Sequence, residues 1–162
     1  MKPTTLPVNP DHVLVQRFLS QSDGPIAVET SPIARALKVQ LIQANAEAGT
    51  VELAFEPDGL FVQGASILQG GAVTAMLDFA MAFAAMTRLP TTSGVATVSL
   101  NTSYLRTAPL ARYIAVGEVE RQGRSMVFTQ ARLLRERDRQ PVASASSALA
   151  VVPAEPAPPQ PR

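Results

Sequence analysis

Asp78 is the only ionisable residue in the run AVTAMLDFAMAFAAM from Ala72 to Met86, and Gln69-Gly70-Gly71 stands directly ahead of that run. Taking an ionised carboxylate out of water costs several kcal/mol unless hydrogen bonds, an opposite charge or chemical use compensates it. No basic residue lies within a helical turn of Asp78. An acid so placed is a candidate nucleophile or general base. The glycine pair supplies the complementary part. If the run is a helix, its first-turn N–H groups are open and carry the positive end of the helix dipole. Glycine there leaves no side chain in the way of an approaching oxygen. A carboxylate and an electrophilic amide end together suit addition to a carbonyl.

Other chemistries lack their residues. With no Cys in the 162 residues there is no thiolate nucleophile, no disulfide and no sulfur-held metal, and a single His, His12, cannot make a histidine-rich metal site. A Ser-His-Asp triad would have to recruit that same His12, and no Gly-x-Ser-x-Gly elbow is present. Gly64, Gly70 and Gly71 fit neither common phosphate-loop pattern. The formal net charge of +1 is too small for the positive field that nucleic-acid or membrane-surface binding needs. No metal or cofactor is expected.

The elements that must position these residues follow from periodicity. Ala72–Met86 covers only ~22 Å as a helix, short of a bilayer's ~30 Å hydrocarbon core, and is expected as a buried central helix. Its alanines let a curved sheet approach closely. Apolar residues near helical spacing in DHVLVQRFLSQ, and Ser31-Pro32 as N-cap and first position, predict two short N-terminal helices, the second over Pro32–Leu37. Alternation in Val39-Gln40-Leu41 and in TVELAFEP predicts a hairpin turning at 45–49. Four further strands are expected at Val95–Leu105, Tyr113–Arg121, Ser125–Arg135 and Val142–Val152. The class is α+β, an antiparallel sheet on one long helix. One domain over 31–152 is expected, with an N-terminal extension at 1–30, a flexible proline-rich tail at 153–162, and a cytoplasmic setting, since MKPTTLPVNPDH lacks a signal's apolar core.

With the order of elements in hand, Gly64, Gln69-Gly70-Gly71, Asp78 and Thr97 through Tyr104-Leu105-Arg106 resemble the pattern of the hotdog-fold acyl-CoA thioesterases, in particular the phenylacetate-degradation type. The resemblance covers roughly 33–152. Where relatives usually carry His stands Gln69, whose amide hydrogen-bonds but, unlike His, does not titrate near neutrality. The resemblance implies an acyl-CoA or aryl-CoA substrate, Gly70 N–H as donor to the thioester oxygen with help from Gly71, and Asp78 as nucleophile or general base. It further implies Gln63 and Thr97 near the reacting atoms, and Gln69, Arg106, Arg124 and Ser125 for substrate binding. Phe79, Met81 and Phe83 are candidates to line an acyl slot.

One spacing constrains the assembly. Gly70 and Asp78 are eight residues apart, roughly 12 Å along a helix, so both cannot readily touch one carbonyl carbon. A site shared by two protomers, Gly70 of one facing Asp78 of the other, resolves this, and the family resemblance implies dimers or dimers of dimers. The rival expectation is a non-catalytic acyl-CoA binding or sensing protein, which would have little use for a buried acid.

Overall fold

The computed structural model describes residues 6–21 and 24–155. The central helix, α3, runs from Gly70 to Met86 and extends the expected run by both glycines. It is mostly buried because most of its circumference is apolar, and the sheet curves around it. Two shorter helices precede it. They are α1 (Pro10–Gln21) and α2 (Pro32–Ala36), the latter capped by the Ser31 hydroxyl, which accepts from Ala34 N.

Among the described residues eight strands complete the fold: β1 (Leu6–Pro7), β2 (Ile26–Ala27), β3 (Gln40–Asn45), β4 (Thr50–Phe55), β5 (Ser93–Tyr104), β6 (Tyr113–Gln122), β7 (Met126–Arg135) and β8 (Pro141–Glu155). Along the sheet the order is β2, β3, β4, β6, β7, β8, with β5 paired to the other side of β8. All these pairings are antiparallel; only β1 joins β8 in parallel, Leu6 opposite Ala154.

Helix and sheet meet closely at Gly117 on β6. A Cβ there would stand 2.2 Å from the Ala80 carbonyl oxygen, so only glycine fits while the helix backbone stays where it is. The core on this inner side includes Leu53, Phe55, Met76, Leu77, Tyr113, Leu133 and Leu149, all 1 % exposed or less.

Two expectations need correction. Pro153–Glu155 are the end of β8 rather than tail: Ala154 N donates to Thr92 O, and β1 pairs alongside. The rest of the expected tail, 156–162, lies outside the described residues, as do 1–5. His12, expected ahead of the domain, is buried in it, its ring nitrogens 3.0 Å from Ser93 O and 2.8 Å from Leu89 O. These contacts, with Gln16 donating to Met86 O, fasten α1 to the segment joining α3 and β5.

Candidate functional site

α3 and β5 run in opposite directions and are joined by three sets of side-chain contacts. At one end Thr97 Oγ1 donates to Asp78 Oδ1 at 3.1 Å. In the middle Thr74 Oγ1 donates to Thr102 Oγ1 at 3.2 Å. At the other end the Tyr104 hydroxyl lies 2.8 Å from Thr74 Oγ1 and donates to Gly70 O at 3.0 Å.

Asp78 is half-buried on α3, in a stripe of partly covered residues that also holds Thr74, Ala75, Phe79 and Ala82. Burial raises its pKa above the usual carboxylate value, and the Thr97 hydroxyl, which favours the ionised form, offsets part of that rise. The carboxylate therefore keeps a basic oxygen, held in place by one hydrogen bond.

Gly70 lies at the other end of the contact ladder. The Gln69 side chain makes no capping bond at the α3 N-terminus. Gln69 O accepts from Ala72 N and Val73 N, and among the described residues the Gly70 and Gly71 N–H groups have no such backbone partner. A cleft of about 520 Å³ opens there, lined by Gln63, Leu68, Gly70, Tyr104, Arg106 and Val142 among others. Gln63 is held in a tight turn, Oε1 accepting from Ala65 N and its N–H donating to Ile67 O, with Ser66 at a left-handed φ of 61°. Arg106 is exposed at the cleft and donates to Pro141 O.

The expected residues thus fall into two groups within one chain. Gln63, Gly70 and Arg106 share the cleft, while Asp78 and Thr97 meet two helical turns away. Exposed Gln69 and Gly71 flank Gly70 at the helix start. Arg124 and Ser125 are exposed in the β6–β7 turn, and Ser125 O accepts from Val151 N. Val151 is paired with Val95, which places that turn at the Thr97 end of β5. Of the three apolar candidates, Met81 and Phe83 belong to the closed core, and only Phe79 is partly exposed, its ring edge-on to Phe83 with centroids 6.1 Å apart.

Tyr104, quoted from the sequence only as part of the motif and given no role there, stands at the Gly70 end of the helix. Its role depends on which face of β5 it occupies, and an irregularity in that strand decides this. The pairing with β8 shifts register between Thr97 and Ser99.

Among the described residues no group of three or more His, Asp or Glu side chains is placed to hold a metal ion. No helix among them is long and apolar enough to cross a membrane.

A largely antiparallel sheet curved around one long helix defines the hotdog fold. Residues 66–142 match the thioesterase superfamily model. That match and the fold support a hotdog-fold thioester hydrolase similar to the phenylacetate-degradation type. No curated protein sequence matches it. Among solved structures, a phenylacetic acid degradation-related protein from Ralstonia eutropha is similar at 25% identity and a TM-score of 0.71, the match covering 84% of this chain and 98% of the other. A thioesterase family protein from Silicibacter pomeroyi shares the fold at 22% identity and a TM-score of 0.72, covering 88% and 99%. The PaaI protein of the Escherichia coli phenylacetic acid degradation operon shares it at 14% identity and a TM-score of 0.71, covering 91% and 97%.

Proposed function

We propose that this chain is an acyl-CoA thioesterase, cleaving an acyl- or aryl-CoA ester to the free acid and CoA at a site assembled from two copies. One observation carries the reading. A half-buried carboxylate oriented by Thr97 and an open helix N-terminus beside an apolar-walled cleft are held on the same helix, yet too far apart to serve one carbonyl within one chain.

In the reaction the thioester oxygen accepts from Gly70 N–H of one copy, with Gly71 N–H beside it. The helix dipole stabilises the negative charge that develops there. Asp78 of the other copy either attacks the carbonyl carbon or takes a proton from the water that does. A C–O bond forms, the C–S bond breaks, and the sulfur leaves as thiolate and is protonated. If Asp78 attacks, water then cleaves the resulting anhydride. Thr97 holds the carboxylate. Gln63 stands at the cleft to contact the thioester or the water. Arg106, and Arg124 with Ser125, are positioned to receive phosphate groups of the coenzyme.

Release of free thiol from short, medium, long and aromatic CoA esters tests this. Turnover with at least one class is expected. Saturable binding with no thiol release from any class would favour the non-catalytic binding protein instead.

A further inference from the structure

Thr97, Thr102 and Tyr104 all direct their side chains at α3. Thr97 lies five residues from Thr102 and seven from Tyr104. Residues an odd number apart in a regular strand point to opposite faces, so β5 must break its alternation between Thr97 and Thr102. On β8, Leu149 pairs with Thr97 and Ala148 with Ser99, which leaves Val98 as an extra residue, 63% exposed. This is a β-bulge, and it delivers the Tyr104 hydroxyl to the start of α3 instead of to the opposite face of the sheet.

What the hydroxyl meets there is one peptide unit. The Gly70 carbonyl and the Gly71 N–H belong to the same planar group, so whatever holds the oxygen also aims the hydrogen at its other end. That unit is weakly held by its own sequence. Glycine flanks it on both sides, leaving the adjoining backbone torsions less restricted than any other residue would, and the Gln69 side chain makes no capping bond to the first turn. Tyr104 supplies the missing restraint. Its hydroxyl donates to Gly70 O at 3.0 Å and lies 2.8 Å from Thr74 Oγ1, about one turn along the same helix, so the ring is pinned at two points of α3. The fit is mutual, because a Cβ on Gly70 would stand 3.1 Å from the Tyr104 hydroxyl oxygen and 3.2 Å from its Cζ.

We propose that Tyr104 is a positioning residue for thioester cleavage, acting through the Gly70–Gly71 peptide to aim and strengthen the Gly71 N–H as a second donor to the thioester oxygen. This deepens the proposed function and rests on it. A hydrogen bond accepted by a peptide oxygen polarises the whole unit and makes its N–H a stronger donor, and linked hydrogen bonds reinforce one another where the dielectric is low. Tyr104 also lines the cleft beside Gly70, which would let it touch substrate directly. A carbonyl can only accept, however, so the one hydroxyl hydrogen of the tyrosine is committed to Gly70 O. The tyrosine and both glycines lie in one chain, so every Gly70 end carries its own copy of the device.

Tyr104→Phe keeps the ring and removes the bond. Losing an oxyanion donor outright costs about a hundredfold or more in kcat, so weakening one is expected to lower kcat roughly tenfold, with KM for the same CoA ester unchanged within about twofold. The chain has nine glycines, few enough for nitrogen-labelled glycine to resolve their amides by NMR. The Gly71 amide resonance is expected to move in Tyr104→Phe while that of Gly117, on β6, stays in place. Thr102→Val cuts a different contact between β5 and α3 and controls for general loosening; it is expected to leave the Gly71 resonance in place and kcat within about twofold. An unmoved Gly71 resonance in Tyr104→Phe, a rise in KM with kcat preserved, or an equal loss of kcat in Thr102→Val overturns the proposal. Thiol release by the unsubstituted chain is measured first. Its absence sinks the proposed function and this role with it, whereas full turnover by Tyr104→Phe sinks the role alone.

Discussion

Thr97 Oγ1 donates to Asp78 Oδ1 across 3.1 Å, tying the strand that follows the central helix to the single acid within it. The hydroxyl favours the ionised carboxylate while burial opposes it, and burial is the larger effect. The acid is thereby more basic than a free carboxylate yet fixed in direction, which suits a nucleophile or a base.

Replacing the acid separates activity from stability. Asp78→Asn is expected to lower thiol release by at least about a hundredfold. Burial holds the folded-state pKa of Asp78 above the ordinary carboxylate value, so its contribution to stability is intact below that ordinary value and is lost as pH rises through the raised pKa. At neutral pH the ionised Asp78 therefore weakens the fold. Asp78→Asn should melt higher than the parent at pH 7, with the difference shrinking toward pH 4, as thermal scans at several pH values would show.

Thr97→Val removes the one hydrogen bond that favours the charged form. The Asp78 pKa should rise further, and the limb of the kcat profile on which activity grows with pH should move to higher pH. A pH–rate profile checks this; an unmoved limb would remove Thr97 from the account.

Gly117→Ala drives a methyl into the Ala80 carbonyl, 2.2 Å from the new Cβ. Helix and sheet must separate, and a loss of about 1–3 kcal/mol or more is expected in denaturant unfolding. The neighbouring stretch of β6 should tolerate no smaller disturbance at this point, since the obstacle is backbone.

Arg124→Ala and Arg106→Ala remove exposed cations at the two ends of β5. If they receive phosphate groups, KM for a CoA ester should rise by up to about tenfold while kcat changes little. The rise should fade with a truncated thioester that lacks the nucleotide.

Much of this architecture was legible in the sequence because it is carried by strong periodicity. The apolar run ending at Met86 is α3, and the alternating stretches are β3 to β8 within a few residues. Two-residue strands such as β1 and β2 carry no period to detect, and the proline-rich stretch from Pro153 hid the end of β8. His12 looked peripheral because its partners, Leu89 O and Ser93 O, are backbone groups far along the chain. Thr97 and Asp78, both named from the sequence, are joined by a hydrogen bond that the sequence alone does not specify. Tyr104 at Gly70 was out of reach, since strict alternation would put it on the face away from Thr97, and only the ladder with β8 reveals the bulge that restores it.

The shared site is tested most directly by mixing two inactive variants. Asp78→Asn retains an intact Gly70 end, and Gly70→Val retains an intact Asp78. A dimer of one of each has one complete site if the two halves come from different chains. Reassociated in equal amounts, the variants should regain about a quarter of wild-type thiol release, because half the dimers are mixed and each holds one good site of two. Recovery near zero, with mixed dimers verified, would contradict a site divided between chains.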